Sequence, residues 1–110
     1  MSKKWTVKDQ YGSTIYLTDE RWEHIIDPTN HPEMDGYADH LKRTIRVGKR
    51  RQDPLDPRKY RYVKFFDNLV ANNNCIIAVA IFKLAIDDKG STVENNFVLT
   101  AYQKQIKQKR

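Results

Sequence analysis

The sequence predicts an α+β domain: an N-terminal hairpin, two helices, then a three-stranded antiparallel sheet with the helices packed on one side. Three observations lead there. Trp5 and Val7, then Ile15 and Leu17, alternate with polar neighbours, which is the period of a half-buried strand. Two stretches of helical periodicity follow between residues 19 and 47. Three strand-like runs with short connections then fill residues 59 to 102. Helices segregated from a run of consecutive strands imply an antiparallel sheet covered on one side.

Residues 4 to 17 read as a hairpin because Asp9-Gln10-Tyr11-Gly12 has turn chemistry. Thr18 is the expected N-cap of the first helix, with Asp19 and Glu20 near the positive end of its dipole and Leu17 and Trp22 placed for a hydrophobic staple. At 100° per residue Trp22, Ile25 and Ile26 share a face, and His24 falls on the opposite one. Pro28 ends this helix at about Asp27. Glu33 to Val47 reads as the second helix, with Tyr37, Leu41, Thr44 and Ile45 on one stripe, His40 beside it and Gly48 as the stop.

Lys49 to Lys59 has two Asp-Pro steps and no periodicity, so it is expected to be a loop that displays its bases to solvent. Lys59 to Phe66 is an expected strand, with Tyr60, Tyr62, Lys64 and Phe66 on one face and Arg61, Val63 and Phe65 on the other. An Asn-rich loop leads into the near-continuous apolar run from Cys75 to Ile86, which predicts burial on both faces and a central strand. Asp87 to Asn95 turns the chain, and Asn96 to Tyr102 alternates as the last strand, placing Val98, Thr100 and Tyr102 together. A basic tail over 103 to 110 closes the chain.

A chain of 110 residues is expected to form one domain that buries roughly two thirds of its unfolded surface without disulfides. The single cysteine, Cys75, lies in an apolar run and reads as a core residue of a protein from a reducing compartment. No apolar leader opens the sequence and no window approaches a membrane span, so a soluble, cytoplasmic protein is expected. The charge is segregated: residues 18 to 41 hold seven acids and one base, and residues 42 to 64 hold ten bases and two acids. With the last seven residues, two segments carry 14 of the 20 basic side chains, the usual footprint of a polyanion site. The plainer alternative is a solvated helix face followed by a basic loop and tail.

Dinucleotide, nucleoside triphosphate and common zinc motifs are absent, no cofactor is indicated, and the histidines have no local chelating spacing. Neither serine sits in a nucleophile-elbow context. What is left is imidazole, guanidinium, ammonium, hydroxyl and phenol groups on an antiparallel sheet beside a basic segment. That inventory suits RNA cleavage without a metal. A base takes the 2′-OH proton, the oxygen attacks phosphorus in line, cations hold the phosphoryl oxygens, and an acid protonates the leaving 5′-oxygen.

The succession LTDERWEHI, HPEM, a helix, KYRYVKFF, an apolar strand and FVLTAYQKQIK resembles the phage-associated branch of the barnase, EndoU, colicin and RelE-like ribonuclease superfamily, over roughly Ser13 to Lys107. His24 with Ile25 matches the first-helix element, His31-Pro32-Glu33 the next, Arg61 and Tyr62 the Arg/Tyr-bearing strand, Thr100-Ala101-Tyr102 the closing strand and Lys107 the basic end. The resemblance implies the superfamily's α+β nuclease fold and ribonuclease activity without metal.

On this reading His24 and His31 are the acid/base candidates, Arg61 holds the scissile phosphate, and Thr100 and Tyr102 donate hydrogen bonds or stack a base. Lys49, Arg50, Arg51, Arg58, Tyr62, Lys64, Lys104 and Lys107 are the candidate RNA contacts. Three functions stay open: a ribonuclease acting as a toxin or defence effector, for which a cognate antitoxin or immunity protein is expected; a non-catalytic RNA-binding domain of the same fold; and a protein-interaction module pairing an acidic with a basic surface.

Overall fold

The computed structural model describes residues 2–107. Strands β1 (Lys3–Lys8) and β2 (Thr14–Thr18) form the expected hairpin, with Trp5 opposite Leu17 and Val7 opposite Ile15. Asp9 builds its turn, Oδ1 accepting from the backbone N–H groups of Tyr11 (2.9 Å) and Ser13 (2.8 Å). Helix α1 (Asp19–Ile26) begins where its cap predicts, because Thr18 Oγ1 accepts from the Arg21 N–H at 3.0 Å. Trp22 and Ile25 are buried in the core, and His24 is exposed.

The second helix is shorter than the expected 33–47. Gly36 adopts a φ of 87°, which interrupts the helical run, so Pro32–Met34 form a separate 3-10 turn and α2 spans Ala38–Val47. Leu41, Thr44 and Ile45 are its buried stripe, and His40 sits at the boundary between the rings of Tyr37 and Phe66. Gly48 ends α2 for reasons of space: its backbone is extended, and a Cβ there would lie 2.2 Å from the Thr44 carbonyl oxygen and 2.8 Å from that of Val63.

The main correction concerns the sheet, which has six strands rather than three. After α2 come β3 (Lys49–Gln52), β4 (Lys59–Phe65), β5 (Cys75–Ile81), β6 (Leu84–Ile86), β7 (Thr92–Glu94) and β8 (Asn96–Lys104). The large sheet runs β1-β2-β8-β5-β4-β3, with β2 parallel to β8 and every other pair antiparallel. Two strands come from the hairpin, which docks on β8 through Ile15 and Tyr16. The third is β3, from a segment expected to be loop. Its KRRQ sequence shows no apolar period because it is an edge strand, where charged side chains guard the unpaired backbone.

The apolar run from Cys75 to Ile86 is also divided. Residues Cys75 to Ala80 are all buried, as expected of an interior strand, but Leu84–Ile86 leaves the sheet and pairs with β7 in a two-stranded ribbon where Leu84 and Ile86 are exposed. In β8 a bulge makes Leu99 an extra residue, since Val79 pairs with Thr100 and Ala80 with Val98. Val98 is therefore buried on the side of Ala101 and not beside Thr100 and Tyr102. Strand β8 continues to Lys104, so the expected 103–110 tail begins inside the sheet; residues 108–110 lie outside the described residues.

Both helices pack on one face, where Ile15, Leu17, Trp22, Ile25, Met34, Leu41, Ile45, Tyr62, Ile76 and Val98 form the core. The sheet curls round this core, so the β1–β2 turn reaches the opposite edge: Gln10 Nε2 donates to the Gly48 carbonyl at 2.9 Å and Arg50 Nη1 to Ser13 Oγ at 3.1 Å. Among the described residues no helix is long and apolar enough to cross a membrane.

Candidate functional site

The sheet face away from the helices collects most of the residues singled out by the sequence. Cross-strand partners share a face, and pairing places Arg51, Arg61, Val79 and Thr100 in one row and Lys49, Val63, Ile77 and Tyr102 in the next. Lys104 stands opposite Cys75 in a third row. With strands roughly 4.8 Å apart, the Arg61 and Thr100 backbones stand about 10 Å apart across Val79. The floor between them is aliphatic, the β3–β4 side carries cations, and the β8 side carries hydroxyl and phenol groups.

His31 is brought onto this face by a turn held from below. The buried Gln103 donates through Nε2 to the Glu33 carbonyl at 2.8 Å and accepts through Oε1 from the Val70 N–H at 2.9 Å. Glu33 Oε2 in turn accepts from the Gln103 N–H at 3.4 Å and lies 3.3 Å from His31 Nδ1. The imidazole consequently stacks on Tyr102, with ring centroids 5.5 Å apart and planes at 30°. A carboxylate beside Nδ1 favours the tautomer protonated there and leaves Nε2 free to take or give a proton.

Arg61 is committed on one side. Its Nη1 donates to Asp53 Oδ2 at 2.7 Å, and Asp53 is oriented by the Leu55 N–H on its other oxygen at 2.8 Å. The Arg61 hydrogen bond, then the Leu55 N–H, hold the Asp53 carboxyl below the usual carboxylate range. The same pair strengthens the Arg61 guanidinium's hold on its proton, with Tyr102 adding a smaller contribution in the same direction. Arg61 and Tyr102 stand in adjacent rows of the same face, with Val79 and Ile77 between their strands.

Other candidates lie elsewhere. Tyr62 is fully buried on the helix side and donates its hydroxyl to Asp9 Oδ2 at 2.5 Å, so it is a core residue and not an RNA contact. Arg50 points the same way, paired with Asp9 Oδ2 at 3.1 Å and lying over the rings of Tyr11 and Tyr60, which corrects the expectation of a solvent-displayed base. Lys64 is half-buried on the helix-side register and lies over the Phe66 ring. Arg58 is exposed in the β3–β4 loop with its Nε 3.3 Å from Asp56, and Lys107 is exposed beyond β8. Lys49, Arg51 and Lys104 are exposed on the open face.

His24 is exposed on α1 in a shallow groove with Thr18, Glu20 and Arg21. Among the described residues its imidazole has no hydrogen-bond or stacking partner, and the structure brings it into contact with none of His31, Arg61, Thr100 and Tyr102. Sequence reasoning named Glu33 only as part of the matched His31-Pro32-Glu33 element, with no role, and missed Gln103 and Asp53. Gln103 alone had a readable signal, a polar residue at the inward position after Ala101.

Comparison of the chain with protein-family models, curated proteins and solved structures returns no match.

Proposed function

We propose that the protein is an endoribonuclease that cleaves RNA by 2′-OH transesterification without a metal, with the helix-free sheet face as its active surface. The observation that carries this reading is the His31–Tyr102 stack, with Glu33 on the imidazole Nδ1 and with Arg61 and Thr100 on the same face. An imidazole with one nitrogen held by a carboxylate and the other open is a general base for a hydroxyl proton. Arg61 and the Tyr102 hydroxyl are the donors for the phosphoryl oxygens, and Thr100 contributes a further hydroxyl on the opposite side of the floor. Lys49, Arg51 and Lys104 supply backbone attraction around them.

His31 takes the acid/base role because its ring is oriented, and His24, in the groove beside Arg21 and apart from this face, is the alternative imidazole. The resemblance described above points the same way and adds the toxin or defence setting, in which a cognate antitoxin or immunity protein covers the basic face. Binding without catalysis is the second reading. The Asp53–Arg61 pair favours it, since a guanidinium already matched to a carboxylate holds phosphate less strongly.

The deciding experiment is incubation of purified protein with end-labelled RNA in excess chelator. The expected result is fragments ending in 2′,3′-cyclic phosphate or 3′-phosphate. Salt-sensitive binding with intact RNA would select the non-catalytic reading, and absence of binding at low salt would remove both.

A further inference from the structure

A second groove lies on the same open face at the opposite end of β8 from Tyr102. It has a volume of about 270 Å³ and is lined by Tyr16, Thr18, Arg21, Lys83, Asn95, Phe97 and Val98. The β2–β8 register sets Tyr16 directly beside Phe97, and their rings stand 6.2 Å apart at 43°. Lys3 Nζ lies 4.5 Å over the Tyr16 ring and Lys83 Nζ 5.3 Å over that of Phe97. Among the described residues no carboxylate lines the groove. The Tyr16 hydroxyl donates to Asn95 Oδ1 at 3.0 Å, which turns the Asn95 amide N–H groups toward other acceptors.

Two adjacent aromatic rings, three cations and an oriented amide donor match a nucleotide: a planar base for the rings, a base-edge acceptor for Asn95 and phosphates for Lys3, Arg21 and Lys83. Both lysines are exposed, so each can move its charge to a phosphate while a base takes the ring face. Along β8, Phe97 and Tyr102 are roughly 16 Å apart at strand rise, a few nucleotides of one chain. This groove adjoins the one that holds His24 through Thr18 and Arg21.

We propose that this groove is a nucleobase subsite that holds a single-stranded RNA a few nucleotides from the His31–Tyr102 centre. The inference rests on the function proposed above for the identity of the strand, and on the groove's own geometry for nucleotide recognition. The test is NMR titration with adenosine and uridine 5′-monophosphates, with sodium phosphate alone, and with a 2′-O-methyl RNA tetramer that cannot transesterify.

Nucleotides should give saturable shifts at Tyr16, Asn95 and Phe97 that phosphate alone does not. The tetramer should bind roughly tenfold or more tightly than a mononucleotide, and Phe97→Leu and Lys83→Gln should each remove most of that gain without unfolding the protein. Unmoved groove signals, equal shifts with phosphate alone, or a mononucleotide that binds as tightly as the tetramer would overturn the subsite. Because cleavage is not needed for these shifts, RNA turnover with an unmoved groove would remove the subsite and leave the nuclease. Nucleotide binding here by a protein without turnover would do the reverse.

Discussion

The Tyr62 hydroxyl donates to Asp9 Oδ2 at 2.5 Å, joining β4 to the turn of a hairpin that lies at the far side of the sheet order. Asp9 also accepts from Arg50 and from two backbone N–H groups, so a buried carboxylate closes the curl of the sheet with every oxygen occupied. Burial, then the Asp9 hydrogen bond, push the Tyr62 phenol far above its ordinary range, and it stays a donor at any working pH. Removing the carboxylate strands Arg50 and two N–H groups, so Asp9→Ala should cost on the order of 3–5 kcal/mol, and Tyr62→Phe about 1–3 kcal/mol. Urea unfolding measures both. Losses below about 0.5 kcal/mol in each would mean that the curl is held elsewhere.

Gly48 is the tightest backbone position between α2 and β4. A methyl group there meets two carbonyl oxygens that belong to main chain and cannot swing away. Gly48→Ala should therefore destabilise by about 1–3 kcal/mol, the range of overpacking in a close-fitting site. An unchanged denaturation midpoint would show that α2 and β3 shift freely, contrary to this packing.

Much of the fold was legible because local chemistry and tertiary context agree. Thr18 caps α1, Asp9 and Gly12 turn the hairpin, and the unbroken run from Cys75 marks the interior strand, each by a signal confined to a few residues. The strand β3 was not legible, because an edge strand needs no apolar period and KRRQ reads as a solvated loop. Nor was the bulge at Leu99, whose cause is pairing to β5 rather than a local breaker such as glycine. Alternation put Thr100 with Tyr102 and set Arg61 opposite Tyr62, but that Arg61 shares their face is decided by the β4–β5–β8 register, and Gln103 and Asp53 act through bonds to other segments that alternation does not encode.

The Asp53–Arg61 pair makes a pH prediction with a definite sign. Asp53 is held below its unfolded value of about 3.9, so the pair's stabilisation is present above that pH and is lost as pH falls through the lower folded value. Asp27 and Asp56 are lowered too, chiefly by the Thr29 hydroxyl and the Arg58 guanidinium, so acid unfolding of the whole protein mixes three groups. The stability difference between the parent protein and Asp53→Asn isolates one. It should be constant from neutral pH down to about 5 and shrink toward zero in the acid range below about 4. A gap that widens on acidification would reverse the assignment.

The chemistry turns on His31, and its surroundings separate the roles of neighbours. His31→Ala should lower RNA cleavage by a factor of roughly 10² to 10⁴ with little effect on folding, since the side chain is about one-third exposed. Tyr102→Phe keeps the ring beneath the imidazole but removes a hydroxyl from the face that carries Arg61, so it should cost roughly 10 to 10³ in turnover at nearly unchanged binding. Glu33→Gln keeps a side chain of the same size next to Nδ1 without its charge, so a loss of turnover in this variant measures what the carboxylate contributes to orienting the ring. His24→Ala, made in parallel, tests whether a second imidazole is used. If His31→Ala cleaves at the parent rate while His24→Ala is inactive, the acid/base group belongs on α1 and the oriented stack on Tyr102 is a binding platform only. Full activity in both variants would remove His24 and His31 from the chemistry.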